Sequence, residues 1–153
     1  MLDFRLSDDQ EKLRSHARQF ALKEVLPAAW TCDSRNQTPR ALLRKAFDAG
    51  LMSTNIPEAF GGRGYGLLEA CLLTEELAAA CPGIATSIFD NSLGLEPLIL
   101  CRNDALKESF LKSIARDFKL ICFATSEPTM GSDVSGIRCR ATEPETGQRG
   151  YTQ

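Results

Sequence analysis

Histidine is almost missing: His16 is the only one in 153 residues. Catalysis by Ser-His-Asp or Cys-His groups therefore has almost nothing to use, and His16 reads as a surface or half-buried helical residue. No C-x-x-C occurs either. The six cysteines (Cys32, Cys71, Cys81, Cys101, Cys122, Cys139) are scattered without metal-ligand spacing, so no metal site is expected. Most lie in apolar segments, which suits reduced, packed thiols of an intracellular compartment. No apolar run approaches the ~20 residues that span a bilayer. Neither sign of charge dominates: 18 Lys and Arg against 20 Asp and Glu leave a net charge of −2. No basic field is present to draw nucleic acid or an anionic membrane. Glu75 and Glu76 are adjacent, so on a helix they point about 100° apart and cannot form a general acid–base pair. They read as a solvated edge. The opening M-L-D-F-R-L-S-D-D-Q is neither a signal peptide nor an Arg-rich transit peptide, though a mature protein stripped of such a segment would look the same.

What is present is an ordinary globular composition, 43% hydrophobic and 25% charged. A chain of this length can bury roughly 70% of its unfolded surface. Ser7-Asp8-Asp9-Gln10 is a capping box, and Leu13, Ala17, Phe20, Ala21 and Val25 follow at helical spacing. A long amphipathic helix is expected over 7–30, kinked or ended by Pro27. Thr38-Pro39 opens a second helix, with proline at its first position, and Gly50 closes it. I-P-E-A-F-G-G-R-G-Y-G (56–66) is a loop. Residues 67–81 are apolar nearly all the way round, as in a helix buried on most faces. Pro82-Gly83 starts another helix to about 101, and Asn103-Asp104 caps a shorter one through Ile114. This is a helical bundle with short connections.

At Lys119 the texture changes. L-I-C-F-A-T carries no charge, follows a helix end and precedes turn residues, so a strand is expected. Residues 137–142 alternate apolar and polar as a second strand, and E-P-E-T-G-Q-R-G-Y reads as a hairpin turn leading into a third. The expected organisation is an α-helical domain over 1–117 and the start of a β domain over 118–153. Two or three strands could not stand alone, which implies a fragment.

The stretch with most chemistry is S-E-P-T-M-G-S-D, Ser126 to Asp133. Thr125, Ser126, Ser132 and the loop amides offer donors beside a strand end, Gly131 permits close approach of a ligand, and successive amides make an anion-binding concavity. A phosphate or a polar ring edge would fit; so would a plain structural turn. The glycine loop 61–66 lacks the G-x-G-x-x-G spacing and a preceding strand, so it is no dinucleotide fingerprint. It reads as a tight helix connection or a ligand contact.

Four co-linear stretches carry a resemblance: I-P-E-A-F-G-G-R-G-Y-G, T-E-E-L-A-A-A-C-P-G, N-S-L-G followed by N-D-A-L-K-E-S-F-L, and F-A-T-S-E-P-T-M-G-S-D-V-S-G-I. In order and spacing the chain resembles the N-terminal part of acyl-CoA dehydrogenases, nearest the medium-chain type. The resemblance implies a mainly α fold: an N-terminal α-helical bundle domain followed by the first strands of a β middle domain. A C-terminal four-helix bundle would complete a subunit that is usually tetrameric. It implies FAD as cofactor, an acyl-CoA substrate oxidised to the trans-2-enoyl-CoA in fatty-acid or amino-acid catabolism, and an electron-transferring flavoprotein as partner. The compartment would be the mitochondrial matrix in a eukaryote and the cytoplasm in a bacterium.

Carried over by position, Phe123, Ala124, Thr125, Ser126, Glu127, Pro128, Thr129, Met130, Gly131 and Ser132 match the flavin-lining segment. Phe123 stands where the family often has tyrosine, and Ser126 where a threonine hydroxyl approaches the ring. Ser132 matches a serine shared between flavin and acyl-CoA, while Thr129 and Met130 replace a common glycine-alanine pair. Ala85 and Phe89 match positions near the acyl tail. The catalytic glutamate belongs to the C-terminal bundle, so no catalytic residue is expected here and this stretch alone should be inactive. An acyl-CoA oxidase is a rival within the fold. The alternative from another class is a non-catalytic truncated paralogue acting as a binding or assembly module.

Overall fold

The computed structural model describes residues 4–142 and 150–152, and the chain divides into two compact units, Met1–Phe123 and Ala124–Gln153. The first is helical. Helix α1 (Asp8–Phe20) starts at the expected capping box: Gln10 N donates to Ser7 Oγ at 3.2 Å, and Ser7 N donates to Gln10 Oε1 at 3.0 Å. Asp8, Asp9 and Glu11 in its first turn complement the positive end of the helix dipole. The helix does not stop near Trp30. It widens into a π-helical segment, Ala21–Val25, and continues as α2 (Leu26–Arg35) until Asn36 turns left-handed at φ 48°. Pro27 explains the widening, because it has no N–H for the Lys23 carbonyl and its ring would strike that group in a regular helix.

Helix α3 (Arg40–Asp48) buries Leu42, Leu43 and Ala46; Pro39 is its N-cap rather than its first helical residue. The glycine loop closes on itself: Gly61 N donates to Glu58 O, Gly62 N to Pro57 O and Gly64 N to Ile56 O. A Cβ on Gly62 would lie 2.0 Å from the Ile56 carbonyl oxygen, so only glycine lets the two backbones meet. With these amides used internally, the stretch is a tight connection rather than a ligand cradle.

Helix α4 (Leu67–Ala80) runs parallel to α1. Gln10 Nε2 donates to Glu69 Oε1 at 2.8 Å at one end of the pair, and Arg18 donates to both Glu76 oxygens at 2.7 and 2.8 Å at the other. Glu76 is therefore no solvated edge. Its side chain is 8% exposed, on the stripe it shares with Leu72, Leu73 and Leu77. Nor is α4 buried on most faces: Leu67, Leu68 and Cys71 lie exposed. An all-round apolar helix carries no moment to tell which face turns inward, and here a glutamate with an arginine partner takes an inner position.

Helix α5 (Pro82–Leu100) turns back from α4 at Cys81, and α6 (Asp104–Arg116) is capped by Asn103, whose Oδ1 accepts from Leu106 N at 3.0 Å. The main core joins α1, the π segment, α3, α4 and α5 through Ala17, Val25, Leu43, Leu73, Leu77 and Ile88 among others; a second, smaller core gathers Ile56, Leu95, Leu111 and Ile114. The expectation of packed thiols holds only in part: Cys32 and Cys81 pack against the main core, but none of the six free cysteines is fully buried and Cys71, Cys122 and Cys139 are exposed.

In the second unit, β1 (Arg140–Thr142) pairs antiparallel with β2 (Gly150–Thr152), Ala141 facing Tyr151. The strand expected over 137–142 is thus shorter, because Ile137 closes a 3-10 turn (Val134–Gly136) and the Arg138 and Cys139 amides donate to Glu127 instead of a ladder. The turn expected over 143–149 lies outside the described residues. L-I-C-F-A-T belongs to no ladder among the described residues, since a strand needs a neighbour and none pairs with it.

Candidate functional site

The flavin-matching segment is entered through residues 119–123, held against α5 by a side chain. Asn91, 1% exposed, donates through Nδ2 to Lys119 O at 2.8 Å and to Ser53 Oγ at 2.9 Å, and its Oδ1 accepts from Ile121 N at 2.9 Å. Phe123 follows, 47% exposed.

Within the second unit the loop is shaped by its own backbone and one carboxylate. Glu127 N donates to Met130 O at 2.8 Å and Met130 N donates to Glu127 O at 3.0 Å, closing a tight turn over Pro128 and Thr129. The Glu127 carboxylate accepts from Arg138 N at 3.1 Å and Cys139 N at 2.8 Å, latching the turn to the segment eleven and twelve residues on. Sequence reasoning placed Glu127 in the site but did not find this latch; a carboxylate reaching backbone amides across a loop leaves no periodic signal. Neither Thr129 nor Met130 has a positive φ, so the turn accepts their side chains without strain.

The remaining donors of the loop are unused. Among the described residues, the hydroxyls of Thr125, Ser126 and Ser132 make no hydrogen bond, nor do the amides of Thr125, Ser126, Gly131 and Ser132. A Cβ built on Gly131 meets nothing within 4 Å, so one side of the loop is open. A flavin ring presents carbonyl oxygens and ring nitrogens along one edge, and this set of amide and hydroxyl donors fits that edge. Thr125, Ser126, Gly131 and Ser132 are the residues that would hold it.

The acyl-tail candidates separate. Ala85 is 2% exposed and belongs to the main core, whereas Phe89 is 37% exposed and borders a depression of about 10 Å³ with Ala70, Leu73 and Ser92. That volume admits about one water, and Ala85 does not line it. His16 Nε2 lies 3.0 Å from the Ala49 carbonyl, an exposed tie between α1 and the end of α3. The displaced acids are held by side-chain partners of the helical unit. The hydrogen bond from Gln10 holds Glu69 below its ordinary 4.5, Lys45 does the same for Glu24, and Arg116 holds Asp117 below 3.8. No described helix is long and apolar enough to cross a membrane.

Comparison with known proteins bears on the family. The family model described as "Acyl-CoA dehydrogenase, N-terminal domain" matches residues 7–117. A Caenorhabditis briggsae protein named probable medium-chain specific acyl-CoA dehydrogenase 2, mitochondrial, is 31% identical over 139 residues, covering 91% of this chain and 34% of that one. Butyryl-CoA dehydrogenase from Megasphaera elsdenii superposes with a TM-score of 0.87 at 28% identity, over 99% of this chain and 41% of the other. An acyl-CoA dehydrogenase complexed with FAD from Bacillus anthracis gives 0.86 at 25% identity, over 100% and 26%. The chain spans about a third of the length of the curated relatives it matches. On the match over residues 7–117 and the helical architecture that goes with it, the chain belongs to the acyl-CoA dehydrogenase family.

Proposed function

We propose that this chain supplies the front of the flavin and acyl-CoA site of an FAD-dependent acyl-CoA dehydrogenase, which oxidises an acyl-CoA to its trans-2-enoyl-CoA. The observation that carries the reading is the loop 124–132, held in shape by the Glu127 latch while the hydroxyls of Thr125, Ser126 and Ser132 and the amides of Thr125, Ser126, Gly131 and Ser132 stay unused. FAD, when bound, supplies the hydride-accepting ring. The chain's own residues bind and orient. Ser126 offers a hydroxyl to the ring edge, and Ser132 offers one to be shared between flavin and acyl-CoA. No residue of this chain is assigned the proton-abstracting role, which requires a positioned base within hydrogen-bond reach. Residues 1–153 by themselves are thus inactive and hold FAD weakly. A tetramer, a mitochondrial or bacterial cytoplasmic setting and transfer to an electron-transferring flavoprotein go with the same reading.

Substrate length is proposed from Phe89. It sits at the surface of α5 beside the shallow depression instead of inside the main core, which supports a role at the acyl tail. A ring there shortens or narrows the pocket, favouring short-to-medium straight chains. Each excluded methylene forfeits about 0.8 kcal/mol, roughly fourfold in affinity.

The test uses the complete gene product. Its FAD content is measured, dye reduction is followed with a series of acyl-CoAs, and Phe89→Gly is assayed beside it. Bound flavin with no dye reduction by any acyl-CoA would refute the dehydrogenase reading, and reduction only when oxygen is the acceptor would favour an oxidase. An unmoved length preference in Phe89→Gly would return that ring to packing.

A further inference from the structure

We propose that Asn91 is a positioning residue for the flavin-lining segment, fixing the edge of the stretch that leads into it; this rests on the flavin reading above. L-I-C-F-A-T (120–125) has the composition of a strand, yet among the described residues no ladder holds it. An extended stretch with free amides and carbonyls has no fixed path unless something reads its edge. Asn91 does so. A carboxamide carries the same donor and acceptor as a peptide group, and this one binds the carbonyl of Lys119 and the amide of Ile121. Those groups, two residues apart on one edge, are the pair an adjacent strand would take.

The arrangement has one orientation. Both Asn91 amide hydrogens are used, on Lys119 O and Ser53 Oγ, and its oxygen takes Ile121 N–H. A reversed amide would set oxygen against the Lys119 carbonyl and an N–H against the Ile121 N–H. A buried amide is favourable only when so satisfied, and then it specifies geometry. Gly94, further along the same helix, completes the fit. A Cβ there would lie 2.8 Å from Ile121 Cγ2 and 3.1 Å from the Cys122 carbonyl, so the segment reaches α5 only because Gly94 has no side chain. Asn91 and Gly94 together set the path of residues 119–122, and Phe123 is the next residue.

The experiment compares the complete gene product with Asn91→Ala, Gly94→Ala and Ser53→Ala. Melting temperature, FAD dissociation constant after flavin removal, and hydrogen exchange at the Ile121 and Phe123 amides are measured. Ser53→Ala should lower the melting temperature and leave FAD affinity within twofold, because the bonds to residues 119 and 121 remain. Asn91→Ala should weaken FAD binding about tenfold, as loss of a buried hydrogen-bond pair allows, and release protection at Ile121. Gly94→Ala should weaken FAD to a similar extent although alanine is the better helix former, so a stable protein with poor flavin binding is the signature. That variant decides the matter if Asn91→Ala does not fold. FAD affinity within twofold in both variants, with only the melting temperature changed, overturns the proposal. If the unaltered protein takes up no FAD, the flavin reading fails separately. Exchange then judges the positioning: lost protection at Ile121 supports it, unchanged protection overturns it.

Discussion

Replacing Leu111 by alanine tests whether the smaller core is a packed one. Leu111 has no exposed surface and sits among Ile56, Leu95 and Ile114, with Ile121 packed on the margin. Leu→Ala at buried sites costs about 2–5 kcal/mol, depending on how far the walls relax. Here only four residues are buried and their neighbours are part-exposed, so partial collapse is available. We place the loss at about 3 kcal/mol, a large share of the roughly 5–15 kcal/mol typical of a domain. In a chain of this size it lowers the melting temperature by about 6–12 °C. Urea unfolding followed by circular dichroism should show a lower midpoint at an unchanged slope, since the surface exposed on unfolding is nearly the same. Leu43→Ala in the main core, where Leu43 is 1% exposed among many more neighbours, should cost about 4 kcal/mol. The two changes fall in separate clusters and should add within about 0.5 kcal/mol. A loss below about 1 kcal/mol for Leu111→Ala would refute the reasoning.

In the complete protein, Ser132→Ala should weaken flavin or acyl-CoA binding by about 1.5–3 kcal/mol if its hydroxyl meets a charged group; unchanged flavin content and Michaelis constant would leave Ser132 a turn residue. Acid should destabilise the helical unit through Glu69, Glu24 and Asp117, whose folded values lie below the ordinary 4.5, 4.5 and 3.8. Such groups bind more protons unfolded than folded, so their contribution is present above the ordinary values and is lost as pH falls through the folded ones. Glu69→Gln should flatten the acid limb of a melting-temperature profile, and an identical limb would contradict this. The exposed Cys71, Cys122 and Cys139 should react with a thiol reagent before Cys32, Cys81 and Cys101, and serine at the first three should abolish the fast phase.

Much of the helical unit was legible because its signals are local. Ser7 and Gln10 form the box their spacing announces, and the stripe through Leu13, Ala17 and Val25 is the buried one. Pro27 signals a kink or an end because its cost in a regular helix is known; that the backbone widens around it and carries on to Arg35 is a tertiary choice. Glu76 was misread because its partner Arg18 is 58 residues away. The stretch 120–125 has strand composition, but its start is held at residues 119 and 121 by an asparagine side chain from α5, and no short-range pattern encodes such a pairing. Within the candidate site, the hydroxyls could be picked out by residue type and resemblance, whereas the Glu127 latch is visible only in space.

The parallel pairing of α1 with α4 also sets a timetable for synthesis. Gln10 and Arg18 find their partners 59 and 58 residues later in the chain. At about 5–20 residues per second, a growing chain leaves α1 without its neighbour for about 3–12 s. The Leu13, Ala17 and Phe20 face lacks its α4 cover for that interval, and most helical stability in proteins comes from such packing. The capping box and the acids of the first turn are local and act at once, so they sustain α1 through the wait. Weakening them would reach the nascent chain before it touched the finished fold.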